Sequence, residues 1–261
     1  MENINQAVDY VNERAFIFFW PIKDITLPSL WVATNGDRPV PDEHDDPGHR
    51  TWDWKDSLLG KQRWYYARTL RRRNTMISMT ALPYFYALSP NYGDYQNDYL
   101  DQYESGALTQ EAKLIYEALL NEGPLDTLAL RRLTHMQSSN SNTRFNRALD
   151  DLQIQFKILP VGISRAGAWH YAFIYDLTAR HLPQLSATAG AISESQARLY
   201  LLEKYFLSVG AARRQDINKL FKWRPEESRR SIESLIQKCA ITDNIELSNS
   251  RDEWLALSEL T

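Results

Sequence analysis

Apolar residues at helical spacing give the clearest signal in this chain beyond position 107. Thr109 can cap a helix that carries Ala112, Ile115, Tyr116, Leu119 and Leu120 on one face and closes at Gly123-Pro124. A short helix is expected after Thr127. A polar break, QSSNSN, then leads to a third helix over Thr143 to Gln155 with Phe145, Ala148, Leu149, Leu152 and Phe156 inward. Two β-like runs joined at Arg165-Ala166-Gly167 read as a hairpin. The order then recurs. Ser193 and Gln196 fit a capping box, AARRQDINKLFKW supplies a second helix, and Pro225 opens a third with Ile232, Leu235 and Ile236 inward. Ile241 to Leu247 and Glu253 to Leu257 are the expected final hairpin. Three helices and a hairpin, twice, predict tandem winged-helix units.

Before position 107 the pattern is less regular. Asn5 to Arg14 reads as a short helix with Ala7, Val8 and Val11 inward, and AFIFFWP (Ala15 to Pro21) as a core strand. Five prolines make Ile22 to His49 mostly irregular, with one turn around Ser29 to Ala33. From Ser57 to Arg73 the spacing suits an amphipathic helix: Leu58, Leu59, Gln62, Tyr65, Tyr66 and Leu70 on one face, Lys61, Arg63, Arg68, Arg71 and Arg72 mostly on the other. Met76 to Leu88 reads as a buried helix interrupted at Pro83, and Ser89 to Gly106 as a polar, Tyr-rich connector. The expectation is a mainly α (α+β) chain with small β hairpins. Its units are an aromatic and basic region at 1–106 and winged helices at 107–186 and 187–261.

Charge changes this picture more than composition does. The chain of 261 residues carries a net −3, so no global field draws it to a polyanion. Locally the charge is segregated. Arg50 to Arg73 holds eight cations against Asp53 and Asp56, while Gly36 to Pro47 holds five acids against Arg38 alone. The basic stretch also interleaves Trp52 and Trp54 with Lys55, Lys61, Arg63, Arg71, Arg72 and Arg73, which offers flat faces for bases and cations for phosphates. The plainer alternative is an amphipathic helix with core aromatics and a solvated cationic face. In the third helices, Asn142, Arg144 and Arg147 and then Arg229 and Arg230 (with Arg224 before them) are candidate DNA contacts, with Arg165 at the hairpin tip. Winged helices also bind proteins, and both helices carry acids as well.

Other chemistry is thinly represented. Cys239 is the single cysteine, so no intrachain disulfide and no multi-Cys zinc site can form, and its apolar neighbours suggest an inert thiol in a helix core. His135 is placed to end a helix favourably. HDDPGH (His44 to His49) offers two His and two carboxylates in a Pro-Gly loop, but its spacing fits no zinc pattern and an exposed acidic loop is the expectation. No phosphate-binding Gly-rich loop, nucleophile elbow or paired-His helix is present. The absence of a signal-like start and of a long apolar run points to the cytoplasm.

LYLLEKYFLSVGAARRQDINKLFKW (Leu199 to Trp223), IYEALLNEGPLDTLALRR (Ile115 to Arg132) and ISMTALPYFYALS (Ile77 to Ser89) resemble segments of the AlkZ/YcaQ-like winged-helix DNA glycosylases, in particular a shorter AlkZ-related branch. The resemblance covers nearly the whole chain. It implies tandem winged helices, double-stranded DNA, undamaged or damaged, as partner, excision of bulky N-alkylated purines or unhooking of crosslinks, and no metal or organic cofactor; a monomer is the simplest assembly. Family members carry a Gln-apolar-Gln or Gln-apolar-Asp element shortly after the first helix. Here that place reads Phe16-Ile17-Phe18-Phe19-Trp20-Pro21, so the motif falls on no residue. Either the chemistry lies elsewhere or the chain binds without cutting. The first alternative points to Asp53 and Asp56, which could stabilise oxocarbenium character and ready a water, with Trp52 or Trp54 stacked on an extruded base. The competing account pairs both carboxylates with Lys55, Arg50 or Arg63. Beyond repair, a non-catalytic transcription regulator and a protein-interaction module remain as readings.

Overall fold

The computed structural model describes residues 1–42, 46–167, 170–245 and 252–261. Helix α1 (Ile4–Arg14) starts at Asn3, whose side chain accepts from the Gln6 amide, and buries Ala7, Val8 and Val11. Strand β1 (Phe16–Phe18) follows, then α2 (Leu30–Asn35), capped by Ser29. The Pro-rich stretch enters α3 (Arg50–Leu58) through a 3-10 turn at Pro47–His49.

The helix expected over Ser57 to Arg73 does not form. Its place is taken by the end of α3, strand β2 (Tyr65–Arg68), a 3-10 turn at Leu70–Arg72 and, beyond it, strand β3 (Asn74–Ile77). The helix expected over Met76 to Leu88 is likewise reduced to α4 (Leu82–Tyr86), with Pro83 in its first turn, where no amide donor is required. The reason lies in the sheet. Its strands pair antiparallel in the order β1-β3-β2, with Phe16 and Tyr65 flanking Ile77 and with Ile17 and Tyr66 flanking Met76. Successive residues point to opposite faces. Phe16, Ile77 and Tyr65 enter one core with Phe85, Tyr205 and Phe206, while Ile17, Met76 and Tyr66 enter another with Val8, Val11, Leu30 and Leu58. A strand buried on both faces has no polar alternation, so its residues imitate a helix face in sequence.

Beyond this sheet the helical expectations hold. Part of the supposed connector is helix α5 (Asp98–Glu104), which gives Tyr99 to the core of the unit that follows. That unit runs α6 (Gln110–Glu122), β4 (Leu125–Asp126), α7 (Thr127–Leu133), α8 (Asn142–Ile154), β5 (Ile158–Ser164) and β6 (Ala172–Leu177), with sheet order β4-β6-β5. Two short helices intervene, α9 (Thr178–His181) and α10 (Leu185–Gly190). The second copy runs α11 (Glu194–Val209), β7 (Ala211–Ala212), α12 (Arg214–Phe221), α13 (Pro225–Gln237), β8 (Ile241–Ile245) and β9 (Trp254–Leu257), with sheet order β7-β9-β8. Element order and sheet order therefore agree between the copies, each with one short strand that the sequence pattern did not suggest. Thr109 caps α6 at the Ala112 amide (3.2 Å), and Ser193 and Gln196 form the expected capping box. The chain is α+β, about half helical with three small antiparallel sheets. Cys239 departs from expectation: it lies past the end of α13 at φ 54 and is exposed.

Two contacts tie these parts together. Gly60, at φ +71 after α3, lies so close to β5 that a Cβ would sit 2.5 Å from the Val161 carbonyl oxygen. Gly60→Ala adds a clash against backbone to a left-handed conformation and should destabilise by roughly 2 kcal/mol, read as a Tm several degrees lower. Lys157 is buried, donates from Nζ to Asn91 Oδ1 (2.9 Å), and is pushed down to about 8 by burial. Its folded pKa lies below the unfolded value, so between pH 8 and about 10.5 the unfolded chain holds the extra proton. This group's contribution to stability should therefore rise with pH across that window, by up to about 1 kcal/mol per unit. Chemical denaturation of wild type and Lys157→Met over pH 8–10 reads the difference, which should shrink if Lys157 titrates normally.

Candidate nucleic-acid interface

Helix α3 builds the first part of the site. Asp46 precedes it, accepting from the Gly48 amide (2.7 Å) and pairing with Arg38 (2.6 and 3.0 Å). Hydrogen bonding to Arg38 holds the Asp46 carboxyl down at about 2. The helix then projects Arg50, Trp52 and Asp53 outward while Thr51, Lys55 and Leu58 are buried.

Lys55 was expected among the cations that meet phosphate, and the structure corrects this. Its residue is 1% exposed. The ammonium lies 4.4 Å from the Trp52 ring centre, 5.0 Å from Phe173, 5.5 Å from Tyr66 and Tyr171 and 5.6 Å from Phe19. It contacts Asp56 Oδ1 at 2.8 Å and donates to the Tyr171 hydroxyl at 2.9 Å, and that hydroxyl donates to the same Asp56 oxygen at 2.9 Å. Burial pushes the lysine down, with Asp56 opposing, and pushes the Tyr171 phenol up. Asp56 is thus taken up in the ion pair that the sequence offered as its non-catalytic role. Asp53, one turn earlier, is exposed and makes no ion pair or hydrogen bond with the described residues.

Above this closed triangle lies an open cleft of about 1140 Å³. Trp20, Trp52 and Tyr171 supply aromatic walls, His49 adds a ring, and Arg50 and Asp53 stand at its edge. Trp52 sits 6.1 Å from Trp20 and 6.0 Å from Tyr171, centre to centre. Trp54 takes no part: it is half-buried, with the Arg50 guanidinium 5.5 Å from its ring centre. No spacing in the sequence links residues 20, 49, 52 and 171. Trp20 read only as the end of an apolar strand, and Tyr171 carried no signal.

A second cleft, of about 510 Å³, is lined by Trp20, Ile22, Arg68, Arg71, Arg72, Arg73, Asn74 and Asp150. Helix α8 closes one side, with Asp150 paired to Arg68 (3.0 Å) and Asp151 to Arg72 (2.6 Å). Lys61 and Arg63 lie elsewhere, exposed on the turn between α3 and β2, and Arg165 is exposed at the hairpin tip. On α8, Asn142 accepts from Arg131 (2.9 Å), Arg144 pairs with Glu111 (3.1 Å), and Arg147 lies 3.8 Å from Asp151. On α13, Arg229 and Arg230 both bond Glu226, and Arg229 also reaches Glu233. The second copy's third helix therefore neutralises its own cations, while the basic stretch at 61–73 keeps several without ion pairs among the described residues.

His44 and Asp45 of the HDDPGH run lie outside the described residues. Among the described residues no group of three or more His, Cys, Asp and Glu side chains could hold a metal ion, and no helix is long and apolar enough to cross a membrane.

Removing one member of the buried triangle isolates the other. Lys55→Met should destabilise by roughly 3 kcal/mol, because it strands the Asp56 carboxylate, and Lys55→Met with Asp56→Asn should recover part of that loss. Denaturant unfolding of both variants checks this; additive losses would show that the two groups are not coupled.

Comparison with known proteins bears on the fold and the family. No curated protein sequence matches the chain. In fold it is similar to Streptomyces sahachiroi DNA glycosylase AlkZ, with a TM-score of 0.58 and 15% identity, over 97% of this chain and 64% of that one. The chain thus spans less than two thirds of that protein's length, and the likeness is one of fold. The family model described as AlkZ related matches residues 1–222. On that match, the chain belongs to the AlkZ-related family.

Proposed function

We propose that this chain is a DNA-binding protein of the glycosylase type, with tandem winged-helix units at 107–186 and 187–261 and an N-terminal unit that carries the base-binding cleft. One observation carries the reading: three aromatic rings from three distant segments, Trp20, Trp52 and Tyr171, wall an open cleft that holds an unpaired carboxylate, Asp53. A base turned out of a duplex needs flat apolar faces to replace the stacking it loses. The duplex is the partner, held by the exposed cations of the basic stretch, and the protein works in the cytoplasm.

Three carboxylates line the cleft, Asp42, Asp46 and Asp53; Asp46 is paired with Arg38, and Asp53, beside Trp52 on α3, is the one assigned to chemistry. Breaking an N-glycosidic bond leaves the bonding pair with the base and positive charge on the sugar, which a carboxylate stabilises. Water then bonds to the sugar's anomeric carbon and releases its proton, which Asp53 can accept and pass to the departing base. Asp56 takes a positioning part instead, fixing Tyr171 and, through Lys55, the face of Trp52. A second reading, DNA binding without cleavage, draws support from the apolar Phe16 to Pro21 run, where the resembling enzymes carry their Gln element.

The test combines binding and single-turnover release on duplexes that are undamaged, carry a bulky alkylpurine, or carry an abasic-site analogue. Tighter binding of the damaged duplexes, with release of the free alkylpurine, is the expected result. Asp53→Asn should then slow release at least 100-fold while binding changes little, since oxocarbenium and proton-transfer stabilisation each contribute about 10²-fold or more. Preference for damage without release supports the binding-only reading, and no binding of any duplex at low salt overturns both.

A further inference from the structure

The two clefts share one wall. Trp20 faces the aromatic cleft on one side and, on the other, the cleft formed by the turn that joins β2 to β3. That turn is unusual. Arg71 and Arg72 both stand at φ 57, in the left-handed region that residues with a Cβ rarely enter and that costs roughly 1 kcal/mol or more at each. Thr75 supports it, accepting from the Leu70 amide (3.3 Å) and donating to the Arg73 carbonyl (2.8 Å). The turn is seated on a sheet whose two faces are both buried.

Its charges are incompletely matched. Four arginines meet one aspartate in the lining of this cleft. Arg68 and Arg72 are taken by Asp150 and Asp151, whereas Arg71 and Arg73 make no ion pair with the described residues. Arg71 Nε is moreover buried without a hydrogen-bond partner among the described residues. A guanidinium nitrogen withdrawn from water and left unbonded is costly unless a ligand supplies the acceptor. The lining of this cleft is more cationic than aromatic, and a phosphodiester offers both the charge and the paired oxygens that a guanidinium fork fits.

We propose that the Arg71–Arg73 turn clamps the backbone phosphates flanking the nucleotide whose base enters the aromatic cleft, with Trp20 as the ridge between base and phosphate. The inference rests on the DNA-binding reading of that cleft and adds a phosphate subsite to it. Arg71 and Arg73 are the ligating side chains, while Arg68 and Arg72 are held by α8 and shape the turn. An acidic protein segment is the competing occupant.

Arg71→Gln with Arg73→Gln tests this, since neither side chain forms an ion pair that the fold needs; an unchanged Tm confirms folding. The double variant should bind damaged and undamaged duplex at least tenfold more weakly at low salt, with their ratio unchanged. The slope of log affinity against log salt should fall by about 2, at about 0.9 per lost phosphate contact. Methylphosphonates in place of the phosphates flanking the alkylated nucleotide should weaken wild type about as much and leave the double variant unaffected. If wild type binds duplex but the variant keeps its slope, or if neutral phosphates weaken both proteins equally, this inference fails and the DNA reading stands. If wild type binds no duplex, both fail together, and binding to polyglutamate would then assign the turn to an acidic protein.

Discussion

Everything at the candidate site hangs from a small sheet with no face to the solvent. Strands β1, β3 and β2 are only three or four residues long, yet each side of them is packed, by α4 and the second copy's helices on one and by α1, α2 and α3 on the other. Short strands of this kind are marginal alone. Here each apolar residue is fully buried, and at roughly 1.5–3 kcal/mol per large side chain the sheet is fixed by its two cores rather than by its hydrogen bonds. The consequence is positional. Trp20 leaves the end of β1, the arginine turn joins β2 to β3, and α3 feeds into β2, so one rigid support aims all three.

The buried lysine supplies the second restraint. Lys55 and Asp56 come from α3, Tyr171 from the strand edge of the first repeated unit, and their three mutual contacts of 2.8–2.9 Å lock one onto the other. An ammonium withdrawn from water is tolerated because a carboxylate, a hydroxyl and five ring faces surround it. The charge is therefore structural, and what it secures is the spacing between Trp52 and Tyr171. Local charge in the sequence overstates the cations on offer to a partner for the same reason. Of the eight from Arg50 to Arg73, Lys55 is enclosed and Arg68 and Arg72 are held by α8, which leaves Arg50, Lys61, Arg63, Arg71 and Arg73 without ion pairs among the described residues. The acids of α8, counted at first against DNA binding, turn out to face the protein's own arginine turn.

What the sequence determined by itself was the helical part. Caps at Thr109 and Ser193, the i, i+3, i+4 stripe of α8, and Pro225 at the head of α13 are decided by contacts within a turn or two of chain, so pattern and outcome agree. Tertiary structure decided the rest. Tyr65 and Tyr66 form a strand because two separate cores claim alternate residues, a fact no window around them contains. The cleft joins Trp20, Trp52 and Tyr171, and the bonds that fix it span 115 and 116 positions of sequence. Side chains so far apart meet through burial and strand pairing, which act on the folded chain as a whole; spacing along the sequence records only interactions that are local to it.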